Sequence, residues 1–217
     1  MHLTCPLVLA SASPRRYRLL SRLGLKPVVV PSGIDESSIE SNPERLVVGL
    51  AMRKARSVAR MHRSAVTLGA DTSVVIEGEI LGKPQSPVEA AAMLKRLSGR
   101  THSVFTGLAL AEDRTGRWIS GVEETRVTFA KLRDHEIESY VATGSPLDKA
   151  GAYGIQDDLG ALLVSRIDGD FYNVVGLPLR RFYEMLDIVF PDRVRWTLGL
   201  GANATHREPV AAEVPGD

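Results

Sequence analysis

The chain has a single cysteine, Cys5. That excludes an intramolecular disulfide and a cysteine-rich zinc site, and it points to a reducing compartment, the cytoplasm. Histidine is sparse as well: His2, His62, His102, His135 and His206 are scattered without ligand spacing. A histidine-based metal centre and histidine-driven nucleophilic catalysis therefore have no support. Aromatic residues make up only 6% of the chain, and 27 basic residues nearly balance 26 acidic ones for a net charge of +1. With no basic stripe interleaved with aromatics, no nucleic-acid partner is expected. No apolar run approaches the ~18 residues of a membrane span, and the N-terminus lacks the charged and apolar regions of a secretory signal. The glycosylation match at residues 203–205 carries no weight without export. Internal repeats and low-complexity blocks are also missing.

What is present describes an ordinary globular protein. Its 217 residues are 44% hydrophobic and 24% charged, and at a prior of about 150 residues per domain they fit one domain. The reading is a domain over 1–190 and a C-terminal tail over 191–217, partly disordered, because its end is rich in Ala, Gly and Pro without apolar periodicity. Apolar stretches of strand length fall at Leu7–Ala10, Pro27–Val30, Ala65–Ala70, Ser73–Ile76, Ser103–Ala111, Val122–Leu132 and Ala161–Ile167. Helices are expected from Ser13-Pro14 to Gly24, from Ser86-Pro87 with a capping-box Glu89 to Gly99, and over 43–61, 134–143 and 177–189. Strands and helices interleave, with hairpins expected around Gly78 and Thr115-Gly116. The fold class is α/β with a mixed twisted sheet and flanking helices.

The candidate chemistry begins at "LASASPRRYRLLSRLG", residues 9–24. A strand entering a serine-rich turn and a helix start is a ready anion site, since free amides and the helix dipole both face the ligand. Arg15 and Arg16 oppose that dipole, which suggests a neutralising anion such as phosphate; two solvated arginines on a helix surface would read the same way. In the 43–61 helix, Lys54 falls within the stripe of Leu46, Val47, Leu50, Ala51 and Val58. Its ammonium either snorkels past the core edge or, as favoured here, emerges into a cleft. Asp71 follows an apolar segment and reads as a strand-end residue, where α/β sheets bind ligands, or as a turn aspartate. Asp35 and Glu36 sit in a polar loop that either forms a turn or, with Asp71 nearby, offers hard oxygen ligands. "GEILGKP" is not a Walker loop, because three residues rather than four lie between its glycines and Pro84 follows Lys83. Lys83 thus reads as a point charge. Carboxylates, lysines and arginines together suit metal-assisted chemistry on phosphates.

The segments "LASASPRR", "IDE", "LAMRKA", "LGADTSVV", "ILGKP", "AAMLKRLSGRTHSVFTGLAL", "EIESYVATGSPLDKAGAYGIQ" and "GDFYNVVGLPL" resemble, in this order, the Maf family of nucleoside triphosphate pyrophosphatases. The resemblance spans residues 7 to about 187. It implies a two-lobed α/β fold around a central cleft, commonly a homodimer, and hydrolysis of a nucleoside triphosphate to monophosphate and pyrophosphate with a divalent cation, Mg²⁺ or Mn²⁺. It makes Asp71 the proton acceptor, with Glu36, Lys54 and Lys83 as further catalytic residues and Glu36 and Asp71 as metal ligands. Ser11, Ser13, Arg15, Arg16, Thr72 and Gln156 become substrate-binding residues. Arg15, Thr72 and Gln156 resemble the markers of the subgroup acting on dTTP and UTP, which implies house-cleaning of nucleotide pools, modified pyrimidine triphosphates included. An amide at Gln156 can pair with the O4/N3 edge of thymine or uracil. Asp148 and Lys149 read as an ion pair shaping that loop. Ser73 and the "DDL" after Gln156 depart from the family pattern. The alternative is a nucleotide-binding regulator of septum formation with little turnover.

Overall fold

The computed structural model describes residues 1–157 and 159–196. Strands β1 (His2–Leu3) and β2 (Leu7–Leu9) lead into α1 (Pro14–Arg22), β3 (Val28–Val29), α2 (Pro43–Ala59), β4 (Val66–Ile76) and β5 (Glu79–Leu81). Then come α3 (Pro87–Leu97), β6 (Thr101–Glu112), β7 (Arg117–Phe129), α4 (Asp134–Ala142), β8 (Val164–Asp168), α5 (Phe171–Val175), α6 (Leu179–Val189) and β9 (Val194–Arg195). The main sheet runs β3-β2-β4-β6-β7-β8, and β5 pairs with the far end of β4. The α1 and α2 crossovers make β2 parallel to β3 and β4, whereas the β4–β5 and β6–β7 hairpins and the longer connections from β5 through α3 to β6 and from β7 through α4 to β8 make the β4–β5, β4–β6, β6–β7 and β7–β8 pairs antiparallel. The mixed sheet and its flanking helices match the expected class. Among the described residues, no helix is long and apolar enough to cross a membrane.

Local chemistry explains most boundaries. Asn42 and Ser86 cap α2 and α3 by accepting from the amides of Arg45 and Glu89, and prolines occupy the first turns. The capping box is displaced by one residue, since Glu89 Oε2 accepts from the Gln85 amide. Gly78 has φ +80° beside Glu77 at φ +52°, the left-handed pair of a tight hairpin.

Three expectations are corrected. The segments separated at Asp71 form one continuous β4, so Asp71 lies mid-strand, paired with Gly107, rather than at a strand end. The strand expected from Ala161 starts at Val164, after a 3-10 turn over Gly160–Leu163. The last helix starts at Leu179 rather than 177, and the short α5 precedes it, ended by Gly176 at φ +115°. Of the stretch expected as a tail, Val194 and Arg195 form β9 and pair antiparallel with Leu3 and His2 of β1; residues 197–217 lie outside the described residues.

Helix α2 is seated unusually close to the sheet. Ala51, Ala55 and Ala59 pack on Ala109 and Ala111 of β6. Below them, a Cβ on Gly69 would stand 2.1 Å from the Ala51 carbonyl oxygen, and one on Gly107 would stand 2.3 Å from that of Val47. Backbone meets backbone there, and this fixes how far α2 side chains stand from β4.

Elsewhere in the core, His102, Phe129 and Tyr153 pack edge to face, with centroids 4.8–5.3 Å apart. His102 Nε2 lies 2.8 Å from the Tyr153 hydroxyl. Burial pushes His102 down from 6.5 to about 4. Between those pH values the unfolded chain binds the proton and the folded chain does not, so stability falls as pH drops through that window and is unaffected above it. The shift corresponds to about 3 kcal/mol at full development. Urea unfolding at pH 7 and pH 4 should therefore show His102→Gln losing about 3 kcal/mol less on acidification than the unmodified chain. Equal losses would contradict a neutral buried imidazole.

Candidate active site

A cleft of about 620 Å³ opens between the start of α1 and the middle of β4 on one side, and the Gly82-Lys83 turn and the 148–156 segment on the other. Its lining includes all ten residues singled out in the sequence: Glu36, Lys54, Asp71 and Lys83, Ser11, Ser13, Arg15 and Arg16, and Thr72 and Gln156.

Lys54 occupies the floor. It is 5% exposed on the buried side of α2, and its ammonium lies 2.6 Å from Asp71 Oδ1 and 2.8 Å from Glu36 Oε1. The cleft reading of Lys54 is correct, and its pairing with Asp71 follows from the close seat of α2 on β4. Two carboxylates from a loop and a strand thus converge on one buried cation. Burial pushes the Glu36 carboxyl up, but the Lys54 hydrogen bond and charge, then Lys83 and Arg16, bring it below the ordinary value. Asp35 points away and closes a turn on Ser37.

The α1 start is open. Ser13 supplies no side-chain cap and the first turn holds no acid; the Ser13 amide instead donates to Ser11 Oγ at 3.3 Å. The two arginines have different roles. Arg16 is 9% exposed and donates to Gly176 O at 2.9 Å, Ser11 Oγ at 2.9 Å and Thr72 Oγ1 at 3.1 Å. Its guanidinium stitches α1 to β4 and the α5 exit, and burial pushes its pKa down. Thr72 is committed too. Thr106 donates to Asn173 O at 3.1 Å, so the Thr72 hydroxyl donates to Thr106 at 2.9 Å and accepts from Arg16. Arg15 reaches across the cleft mouth to Asp148 at 3.1 Å. Lys83 is exposed, and among the described residues it has no carboxylate partner.

Three groups went unnoticed in the sequence. Asn173, fully buried, donates to Val104 O and Thr125 Oγ1 and ties α5 to the sheet. Tyr153 lines the cleft over His102. Asp157 gathers Tyr140, Ser145 and Lys149. Only the run of glycines around Tyr153 hinted at such close packing. Among the described residues no cluster of three or more His, Cys, Asp or Glu side chains is suited to a metal, so any ion here would rest on the Glu36–Asp71 pair and on oxygens from a ligand.

The comparisons agree with this geometry. A family model described as "Maf-like protein" matches residues 6–189. A protein of Moorella thermoacetica named dTTP/UTP pyrophosphatase is 56% identical over 187 residues, 86% of this chain and 96% of its own. Proteins of the same name from a Thermoanaerobacter species and from Salinibacter ruber are 48% and 50% identical, over 87% and 88% of this chain and 98% and 95% of their own. A match over nearly the whole core, with the site residues converging in one cleft, has one reading: this chain belongs to the Maf family.

Proposed function

We propose that the chain hydrolyses dTTP and UTP to the monophosphate and pyrophosphate, with modified pyrimidine triphosphates as further substrates. The observation that carries the reading is the pair of acids, Asp71 and Glu36, held on one buried ammonium at the floor of a cleft whose mouth carries cations. The name shared by the relatives supports the same reaction and the same two nucleotides.

In this scheme the triphosphate lies along the uncapped α1 start, where free amides and the dipole favour anions. Lys83 takes phosphate oxygens as a point charge, and Arg15 exchanges Asp148 for the substrate. Asp71 accepts a proton from water as the water oxygen bonds to the α-phosphorus; the bond to the α–β bridging oxygen breaks and pyrophosphate leaves with that oxygen. Lys54 orients Asp71 and Glu36 through its 2.6 and 2.8 Å contacts. Gln156, exposed on the opposite wall, pairs its amide with the O4/N3 edge of the base.

The donor set also fits a divalent cation, Mg²⁺ or Mn²⁺. Glu36 and Asp71 present hard oxygens on a common centre, and such ions are commonly held by one or two carboxylates plus substrate phosphates. When bound, the ion would neutralise phosphate charge and lower the pKa of a water. Assembly as a homodimer belongs to the same proposal through the family resemblance, and a cytoplasmic location through the lone cysteine and the substrate. A regulator that only binds nucleotide gains nothing from acids beside a triphosphate, because the like charges repel.

The test is pyrophosphate release from a panel of nucleoside triphosphates with and without Mg²⁺ or Mn²⁺. Turnover confined to dTTP, UTP and their modified forms, and dependent on the ion, is expected. Tight nucleotide binding with no turnover under any ion would favour the regulator.

A further inference from the structure

Besides Lys54 and Arg16, the cleft wall holds another buried charge. Lys149 is 7% exposed, and its ammonium lies 2.5 Å from Ser145 O, 3.0 Å from Ser145 Oγ, 2.7 Å from Asp148 Oδ1 and 3.2 Å from Asp157 Oδ2. Asp157 Oδ2 also accepts from the Tyr140 hydroxyl at 2.8 Å and from Ser145 Oγ at 2.5 Å. The Tyr140 oxygen in turn accepts the Gly154 amide at 2.9 Å. The end of α4, the 145–148 turn and the 154–157 backbone are therefore tied at one point. Glycine is required there: a Cβ on Gly154 would stand 2.6 Å from Lys149 Cε and 2.7 Å from Asp157 Oδ2, and one on Gly160 would stand 2.1 Å from the Gly154 carbonyl oxygen.

Burying a lysine and a carboxylate is costly, and even a fully hydrogen-bonded pair adds little to stability over apolar packing. What such a pair does provide is a fixed geometry. The residue whose geometry it fixes is Gln156, which sits between Ile155, in the core, and Asp157 in the knot. The Gln156 side chain is exposed and has no hydrogen bond to another described side chain, so the knot acts on it only through the backbone from which it extends.

We propose that Asp157, held by Lys149 and Tyr140, is a positioning residue for base selection: it aims Gln156 at the pyrimidine edge. This rests on the reading that Gln156 recognises the base. Cytosine carries an amine where uracil carries O4, so the ratio of kcat/KM for UTP over CTP reports the aim of that amide.

The experiment compares this ratio in Gln156→Ala, Asp157→Ala, Asp157→Asn and Tyr140→Phe. About one hydrogen bond of discrimination is at stake, so Gln156→Ala and Asp157→Ala should each lower the ratio about tenfold, mainly through a higher KM for UTP. Asp157→Asn keeps an acceptor for Tyr140 and Ser145 and should hold the ratio within about threefold of the unmodified enzyme. Tyr140→Phe deletes only a hydroxyl, keeps the packing, and should lower the ratio about threefold, so the test survives even if Asp157→Ala does not fold. A purely structural knot would lower thermal stability and depress both substrates alike, leaving the ratio unchanged. An unchanged ratio in Asp157→Ala and Tyr140→Phe, beside a collapsed one in Gln156→Ala, would overturn the positioning role alone. An unchanged ratio in Gln156→Ala itself would overturn the base reading, and the positioning role with it.

Discussion

Asp71→Asn should lower kcat on UTP about a thousandfold, in the range that a general base contributes, while leaving nucleotide binding intact or tighter. Asparagine has the same shape and can still accept the Lys54 hydrogen bond, which spans 2.6 Å in the native pair. What it lacks is the ability to take a proton, and it removes one negative charge from the floor of a cleft that receives a polyanion. Lys54 keeps Glu36 at 2.8 Å as its counter-ion, so the buried ammonium is not left unpaired and the fold survives at a cost of about 1–3 kcal/mol. The two halves of the prediction separate the alternatives. If Asp71 served only to hold Lys54, turnover would fall a few-fold and the KM would rise; a base at this position gives a kcat collapse with an undiminished affinity. Steady-state kinetics beside direct titration of a non-hydrolysable UTP analogue distinguishes them.

Gly69→Ala should be severely damaging, destabilising by about 3 kcal/mol or more. The added Cβ would meet the Ala51 carbonyl oxygen at 2.1 Å and the Ala55 amide nitrogen at 2.7 Å. These are backbone atoms of α2 and cannot rotate away, so α2 must lift from β4. Lys54 lies between Ala51 and Ala55 on α2, and Asp71 lies two residues beyond Gly69, so the lift also separates Lys54 from Asp71 and kcat falls with stability. Gly49→Ala is the internal contrast. It is exposed in the same helix with nothing within 4 Å of the new Cβ, and alanine there should gain about 0.5–1 kcal/mol from helix propensity. Urea midpoints moving in opposite directions would bear out the close seat of α2; two small shifts of the same sign would contradict it.

Much of this architecture is legible in the sequence, for identifiable reasons. Helix α2 announces itself by its apolar stripe, and Lys54 stands out because a lysine within that stripe needs a destination; Asp71 on the adjoining strand is that destination. The proline starts and glycine exits of α1 and α3 mark their ends within a residue or two. Other features depend on pairing partners that sequence periodicity does not carry. The break read at Asp71 is an interruption of apolar character only: the ladder to β6 runs through it, since Thr72 pairs with Thr106 and Ser73 with Phe105. The uncapped Ser13 and the gathering of Asp157 around Lys149 depend on tertiary contacts, and Arg16 engages Thr72 and Gly176, 56 and 160 residues away in the chain. The "DDL" after Gln156 stands out in the sequence only as a departure from the family pattern, with no sign that Asp157 is gathered by Tyr140 and Lys149.

Attack of water on the α-phosphorus, with pyrophosphate as the leaving group, is the central claim, and the most direct measurement is hydrolysis of UTP in heavy-oxygen water with mass analysis of both products. Label in the monophosphate, none in an equimolar yield of pyrophosphate, is the expected result. Label in pyrophosphate, or release of orthophosphate with a nucleoside diphosphate, would contradict it and move the point of attack along the chain of phosphates.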